Sequence, residues 1–212
     1  MAVSGIILAG GRSSRMGRDK TLLSINNETL IERTLKKLAG VVDEIIIASN
    51  HTEKYNFSGV TEVPDHYPGL GPLAGLHAGL VAAQHQYAFV VSGDMPLFTG
   101  DLASYLLDRR RGYDVIVPVI RQRWEPLCAV YSRRCIGPVE QCLQSGVSQV
   151  YQFYPQVRVR KIGEAELQPV GNPEELFCNL NTPGDLARLD QNGRYVKQAY
   201  GALTAAGGIE DE

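Results

Sequence analysis

Short apolar runs alternate with amphipathic patterns through the first 120 residues, and this alternation limits the possible folds more than any other feature of the chain. Ile6–Ala9, Ile45–Ala48, Val60–Val63, Ala88–Ser92 and Asp114–Ile120 read as strands. Between them, Glu28–Leu38 reads as a helix, with Leu30, Ile31, Leu35 and Leu38 on one face. Pro72–Gln84 is a second helix, striped by Leu73, Leu76, Leu80 and Val81, with Pro72 in the first turn, where proline is tolerated. Asp101–Arg110 is a third. Strands and helices in this order dictate an α/β chain, a mostly parallel sheet covered by helices on both faces.

Beyond residue 120 the pattern is less regular. Leu127–Tyr131 reads as a strand after the turn-like Arg121–Pro126, Ile136–Leu143 and Val147–Tyr154 as helices, and Val157–Ile162 as a further strand. Leu176–Leu180 leads into a last helix, Pro183–Leu189, with Pro183 in its first turn. Residues 201–212 carry Gly, Ala and acids without periodicity and read as a disordered tail. No linker, repeat or low-complexity block divides the 212 residues, so residues 1–200 are expected to form one domain.

In an open parallel sheet, ligands sit beyond the carboxyl ends of the strands, near the point where strand order reverses. The loops at 10–20, 49–51, 64–75 and 93–97 are therefore the ones that matter, and the first is the most informative. Ile6–Ala9 ends in Gly10-Gly11, followed by Arg12, Arg15, Arg18 and Lys20. Paired glycines let a ligand approach the main chain closely. Four cations so close together repel one another unless water or an anion neutralises them. Strand, glycine turn and cationic loop together suit a polyphosphate; a surface turn with solvated arginines is the plain alternative. A Walker A loop needs glycine directly before the lysine, where Asp19 stands, and Gly10-Gly11-Arg12 does not fit a dinucleotide fingerprint.

Whole-chain properties exclude other classes. A net charge of −2 gives no broad positive field for nucleic acid or an acidic membrane, and the cations gather at 12–20 and Arg109–Arg111. No apolar run approaches the roughly 20 residues that span a bilayer, and Met1–Ser4 holds no signal-peptide pattern. Cys128, Cys135, Cys142 and Cys178 form no Cys-x-x-Cys pair and read as reduced thiols. The expected location is the cytoplasm.

Asp94 follows the strand 88–92 through Gly93. A carboxylate there is placed to hold a hard cation beside phosphate oxygens, since magnesium is usually bound by one or two carboxylates plus phosphates and waters. A turn capped by its own aspartate is the plainer reading. Asp65 lies in a loop of three prolines and three glycines, Pro64 to Gly75, stiff in places and bare in others. Its carboxylate can accept from N1–H and the exocyclic amino group of guanine, a donor pair that cytosine lacks; an ordinary rigid turn explains the stretch equally well. His51, His66, His77 and His85 show no ligand spacing, and His77 reads as a packed residue. Ser13, Ser14 and Ser92 lack a Gly-x-Ser-x-Gly frame, which leaves a serine hydrolase unsupported. Trp124 covers either a substrate or a core edge. Asn179 and Asn181 lie on one side of an extended stretch; Asn181 or Thr182 suits a helix cap, and the two amides together also suit a polar ring such as a pterin.

Leu8-Ala9-Gly10-Gly11-x-Ser13-x-Arg15-Met16-Gly17-x-Asp19-Lys20 resembles the signature of the molybdenum cofactor guanylyltransferases, the MobA family. The resemblance continues in order through Gly71-Pro72-Leu73-Ala74-Gly75, Gly93-Asp94-Met95-Pro96 and Asn179-Leu180-Asn181-Thr182-Pro183, covering roughly residues 5 to 190. It implies a three-layer α/β/α Rossmann-like nucleotidyltransferase fold. A nucleotide-binding half would span about 1–120 and an acceptor-binding half about 121–200. It also implies magnesium-dependent transfer of GMP from GTP to the molybdenum–molybdopterin cofactor, giving the guanine dinucleotide form and pyrophosphate. Molybdenum cofactor biosynthesis proteins and acceptor molybdoenzymes are the implied protein partners.

By the same resemblance, Leu8, Ala9, Gly10 and Gly11 contact GTP and Lys20 binds its phosphates. Asp65 recognises the nucleotide, Gly71 and Gly75 line its pocket, Asp94 holds the metal, and Asn179 and Asn181 face the pterin. Arg15, Lys20 and Asp94 form the catalytic set. The family's asparagine after the second strand is matched by Ala48, with Asn50 two residues on as a substitute. The rivals are a molybdopterin cytidylyltransferase, a sugar- or polyol-phosphate nucleotidyltransferase, and a catalytically silent nucleotide-binding module. Relatives using CTP tend to carry Ala-Ala-Gly where Ala9-Gly10-Gly11 stands, and to depart from the Gly71–Gly75 motif.

Overall fold

A computed structural model of the chain describes residues 2–10, 20–25, 27–50 and 55–180, Lys20 by its backbone alone. The expected helix at 183–189 and the tail at 201–212 lie outside them. In chain order the elements are β1 (Ser4–Leu8), β2 (Ser24–Ile25), β3 (Glu28–Thr29), α1 (Leu30–Ala39), β4 (Glu44–Ala48), β5 (Val60–Val63), α2 (Pro72–Ala82) and β6 (Tyr87–Ser92). There follow α3 (Gly100–Asp108), β7 (Val115–Ile120), β8 (Arg123–Trp124), β9 (Cys128–Ser132), α4 (Ile136–Gln144), β10 (Val159–Gly163), α5 (Glu164–Leu167) and α6 (Pro173–Leu176).

The main sheet runs β10-β7-β9-β6-β1-β4-β5, with β8 paired to the end of β7. Every pairing among β6, β1, β4 and β5 is parallel, as is β10 with β7; only β9 and β8 run against their neighbours. From β1 the chain first adds β4 and β5 on one side, then crosses to add β6 on the other. Strand order therefore reverses between β1 and β6, the crevice where a doubly wound sheet takes its ligand.

The middles of the central strands, Ile6–Leu8, Ile45–Ala48 and Ala88–Val91, are continuously apolar because both faces are covered. Ile6 and Leu8 face one layer with Ile46, Val90, Leu73, Leu76 and Leu80 of α2, and Val139 and Leu143 of α4. Ile7 faces the other with Ile47, Phe89, Ile31 and Leu38 of α1, and Leu102 and Leu106 of α3. Helix α2 is buried along almost its whole length, so its apolar residues surround the axis rather than forming one stripe. At Gly79 it lies so close to β1 that a Cβ would stand 2.5 Å from Ile6 Cγ2.

The expected and observed ends differ where capping or pairing intervenes. The helix expected from Glu28 begins at Leu30, since Thr29 caps it in a reciprocal pair with Glu32 and Glu28–Thr29 pairs with β2. Arg121–Pro126 holds the short strand β8 instead of a plain turn. The helix expected at Val147–Tyr154 is a 3-10 segment, Val150–Gln156, which contains Pro155, a residue without the N–H that an α-helix would use.

The candidate active site at the carboxyl ends of the sheet

Backbone hydrogen bonds knit the end of β1 to both neighbours. Ala9 N–H donates to Ala48 O at 2.9 Å on one side, and Gly93 N–H donates to Leu8 O at 3.0 Å on the other. Two groups of polar residues flank this point.

On the β4 side, Asn50 and Asp65 form a reciprocal pair. Asn50 Nδ2 donates to Asp65 Oδ2 at 2.7 Å, and Asp65 N–H donates to Asn50 Oδ1 at 3.2 Å. A Cβ on Gly10 would sit 3.9 Å from both Asn50 Nδ2 and Ala48 O. A Cβ on Gly75 would meet Leu8 Cδ2 at 3.3 Å, Asp65 Oδ1 at 3.6 Å and Ala48 Cβ at 3.7 Å. Leu8, Ala9, Gly10, Asn50, Asp65 and Gly75 thus share one corner. Gly71 caps α2 with φ +67 in open space, a conformation that favours glycine. Burial holds the Asp65 carboxyl above its usual range, opposed by the Asn50 hydrogen bond and by His66. A carboxylate in that state gains when a ligand brings further N–H donors.

On the β6 side, Ser92 Oγ donates to Asp94 Oδ1 at 2.6 Å, and Leu180 N–H donates to Asp94 O at 2.9 Å. Lys37 of α1 donates to Pro96 O and so fastens the loop to the helix beneath. Lys20 opens a 3-10 turn, Lys20–Leu22, whose next residue packs against this loop. A Cβ on Gly93 would stand 2.9 Å from Thr21 Cγ2, and Thr21 Oγ1 lies 2.7 Å from the buried Tyr55 hydroxyl. Asn179, exposed, directly precedes the residue bonded to Asp94.

Of the residues singled out from sequence, Gly11, Arg15, Asn181 and the Lys20 side chain lie outside the described residues. Among the described residues no three His, Cys, Asp or Glu side chains converge on one point. Asp94 with Ser92 behind it instead suits a cation that takes most of its ligands from phosphates and water. The Arg109–Arg111 cluster is remote from the site. It closes α3 at the amino ends of the strands, Arg110 lying over the Tyr87 ring at the start of β6 and Arg109 stacking on Tyr105 and donating to its carbonyl. His77 is buried edge-on to His66 and Tyr67, and Trp124 packs edge-on to Tyr154 as part of the core margin. Sequence reasoning did not reach Thr21 and Tyr55, because their link joins segments 34 positions apart.

The family model described as a MobA-like NTP transferase domain matches residues 5–159, which includes every strand at this corner. The chain belongs to that family. As a MobA-like NTP transferase it is a nucleotidyltransferase, an enzyme. It is 42% identical over 188 residues to a probable molybdenum cofactor guanylyltransferase of Pelotomaculum thermopropionicum, covering 89% of this chain and 92% of that one. It is 35% identical to a molybdenum cofactor guanylyltransferase of Desulfosudis oleivorans, covering 89% and 95%. The molybdopterin-guanine dinucleotide biosynthesis protein A of Archaeoglobus fulgidus superposes with a TM-score of 0.76 at 23% identity, covering 87% and 95%, and shares the fold. Among the described residues no helix is long and apolar enough to cross a membrane.

Proposed function

We propose that this MobA-like enzyme transfers GMP from GTP to the phosphate of the molybdenum–molybdopterin cofactor, giving the guanine dinucleotide form and pyrophosphate. The observation that carries this is the placement of two aspartates on either side of the end of β1. Asp65, held by Asn50, faces one corner, and Asp94, held by Ser92, the other. The names of the relatives support the choice of substrates.

In this reading the guanine lies in the corner of Leu8, Gly10, Asn50, Asp65 and Gly75, where glycines leave the main chain bare. The Asp65 carboxylate accepts from guanine N1–H and the 2-amino group, and Gly71 opens the wall beside it. Ala9 and Gly11 border the triphosphate, and Lys20 and Arg15 neutralise it. Asn50 takes the place of the family asparagine matched by Ala48. The acceptor's phosphate, already anionic at neutral pH, attacks the α-phosphorus. A P–O bond forms there as the bond to the bridging oxygen of the β-phosphate breaks, and pyrophosphate leaves with that electron pair. No protein nucleophile is needed; catalysis is in-line positioning and charge neutralisation.

Asp94 is the residue that would hold magnesium, which supplies further neutralisation of the phosphates when bound. Residues 1–120 serve the nucleotide, and 121–200, with Asn179 and Asn181, serve the acceptor. The location is the cytoplasm, beside the other proteins of cofactor biosynthesis and the receiving molybdoenzymes. Lys20→Ala and Asp94→Ala should each remove most GMP transfer while circular dichroism stays native. Near-normal transfer by either variant would overturn the assignment.

A further inference from the structure

A cavity of about 610 Å³ opens beside the site, between the β7–β8 hairpin and the segment 172–178. That volume lies within the range of small-molecule pockets. Arg121, Arg123 and Glu125 line one wall, Glu174, Glu175 and Cys178 the other. Two tethers join it to the catalytic corner. Leu127, two residues beyond Glu125, accepts from Ser92 N–H at 2.8 Å, and Leu180, two beyond Cys178, donates to Asp94 O. Two extended residues span at most about 7 Å, so the cavity begins within one ligand's length of Asp94. A second hollow, about 530 Å³ near α1 and β5, is lined by Asp43 and Glu44 at the opposite ends of the strands and has no such link.

The walls of the cavity are built, not incidental. Arg121 and Gln122 form the two-residue turn between the paired Ile120 and Arg123, with φ of +49 and +63. Turns of this kind favour Asn-Gly, because other side chains are strained at positive φ. Arg121 is nevertheless held there, its N–H donating to Glu164 Oε1 at 2.7 Å and its guanidinium paired with Glu174. Glu125 lies on the same side of the chain as Arg123, two residues on, and is partly covered. No hydrogen bond or ion pair of its carboxyl occurs among the described residues. Burial pushes this carboxyl up to about 7, and Arg123 opposes the shift.

Three carboxylates face two guanidiniums here, one of them already engaged. Such a cavity repels a phosphate and welcomes a neutral ring rich in N–H donors. We propose that this cavity receives the pterin ring of the acceptor, and that Glu125 reads the ring by accepting from its N3–H and 2-amino group. This rests on the transfer reading above and names the acceptor's subsite within it. The acceptor's phosphate then projects along the Cys178–Leu180 segment toward Asp94. Arg121, Arg123, Glu174 and Glu175 are the other charged groups facing the ring. Glu125 must be ionised to accept both N–H groups, so ring binding strengthens as pH rises from about 6 to 7.5.

The test pairs Glu125→Gln with Glu125→Asp and uses two probes, pterin and lumazine, which carries oxygen in place of the 2-amino group. The wild type should bind pterin about 10-fold or more tighter than lumazine, the loss of one charge-assisted hydrogen bond. Glu125→Gln should bind the two alike and lose the pH dependence. Its KM for the molybdopterin acceptor should rise about 10- to 100-fold with KM for GTP unchanged. Glu125→Asp should keep a weakened pterin preference. Equal binding of both rings by the wild type, or an undiminished pterin preference in Glu125→Gln, overturns the assignment. A wild type that prefers pterin yet makes no dinucleotide overturns the transfer reading and leaves the ring contact standing.

Discussion

Replacing Asn50 with alanine removes both hydrogen bonds that hold Asp65, and the consequences follow from their geometry. The 2.7 Å bond from Asn50 Nδ2 to the Asp65 carboxylate is the charge-assisted one, of a kind that contributes about 1.5–3 kcal/mol. The 3.2 Å bond from Asp65 N–H is weaker. Asn50 is exposed and Asp65 half-buried, so water replaces part of what is lost. The net effect on folding should be about 1 kcal/mol, a fall in Tm of roughly 2–4 °C for a chain of this length. The effect on ligand binding should be larger. Without Asn50, burial raises the Asp65 carboxyl further, and the carboxylate is no longer aimed. Affinity for GTP should fall about 10-fold, equivalent to roughly 1.4 kcal/mol, measured by calorimetric titration at pH 7.5. Because the proposed guanine contact needs the ionised carboxylate, GTP affinity should decline as pH falls through the Asp65 pKa. In Asn50→Ala that decline should begin at a higher pH. An Asn50→Ala protein that binds GTP as tightly as the wild type, with the same pH profile, would refute the assignment of this pair to the base.

Other perturbations probe different parts of the molecule. Gly93→Ala places a methyl group 2.9 Å from Thr21 Cγ2, beside Lys20, so GMP transfer should fall at least about 10-fold in kcat. Thermal melting of the same variant should show a loss of about 1–3 kcal/mol, as for overpacking elsewhere. Glu125→Gln should raise stability at pH 8 and leave it unchanged at pH 4. The folded carboxyl sits at about 7 against an ordinary 4.5, so the wild type carries a penalty that grows as pH rises from about 4.5 to 7 and is absent below. Discounted for solvent screening, it is on the order of 1 kcal/mol, a few degrees in Tm.

Much of the fold was legible because burial on both faces forces continuous apolar strands, and Val60–Val63 matches the structure at both ends. Helix starts were harder. Thr29 and Glu32 cap α1, which moves its first residue past Glu28, and capping competes with periodicity over one or two positions. The strand Arg123–Trp124 was hidden by its length and by a turn built from Arg and Gln instead of Asn and Gly. At the site, the glycines and aspartates stood out as residue types. Their meeting did not, because it depends on sheet order. Gly75 is apposed to Asp65 and Leu8, and Gly93 to Thr21, only once β1 lies between β4 and β6. Glu125 gave no sequence signal at all, since a lone glutamate before a proline has no pattern until a cavity forms around it.

The proposed joining of GMP to molybdopterin is tested directly by one set of reactions. Purified protein, molybdenum–molybdopterin cofactor and magnesium are incubated with GTP, CTP and ATP in separate reactions, and pyrophosphate release is followed alongside the dinucleotide product. Release with GTP alone, with the guanine dinucleotide formed in equal amount, is the predicted result. Release with CTP alone, or with GTP in the absence of the pterin acceptor, would contradict it.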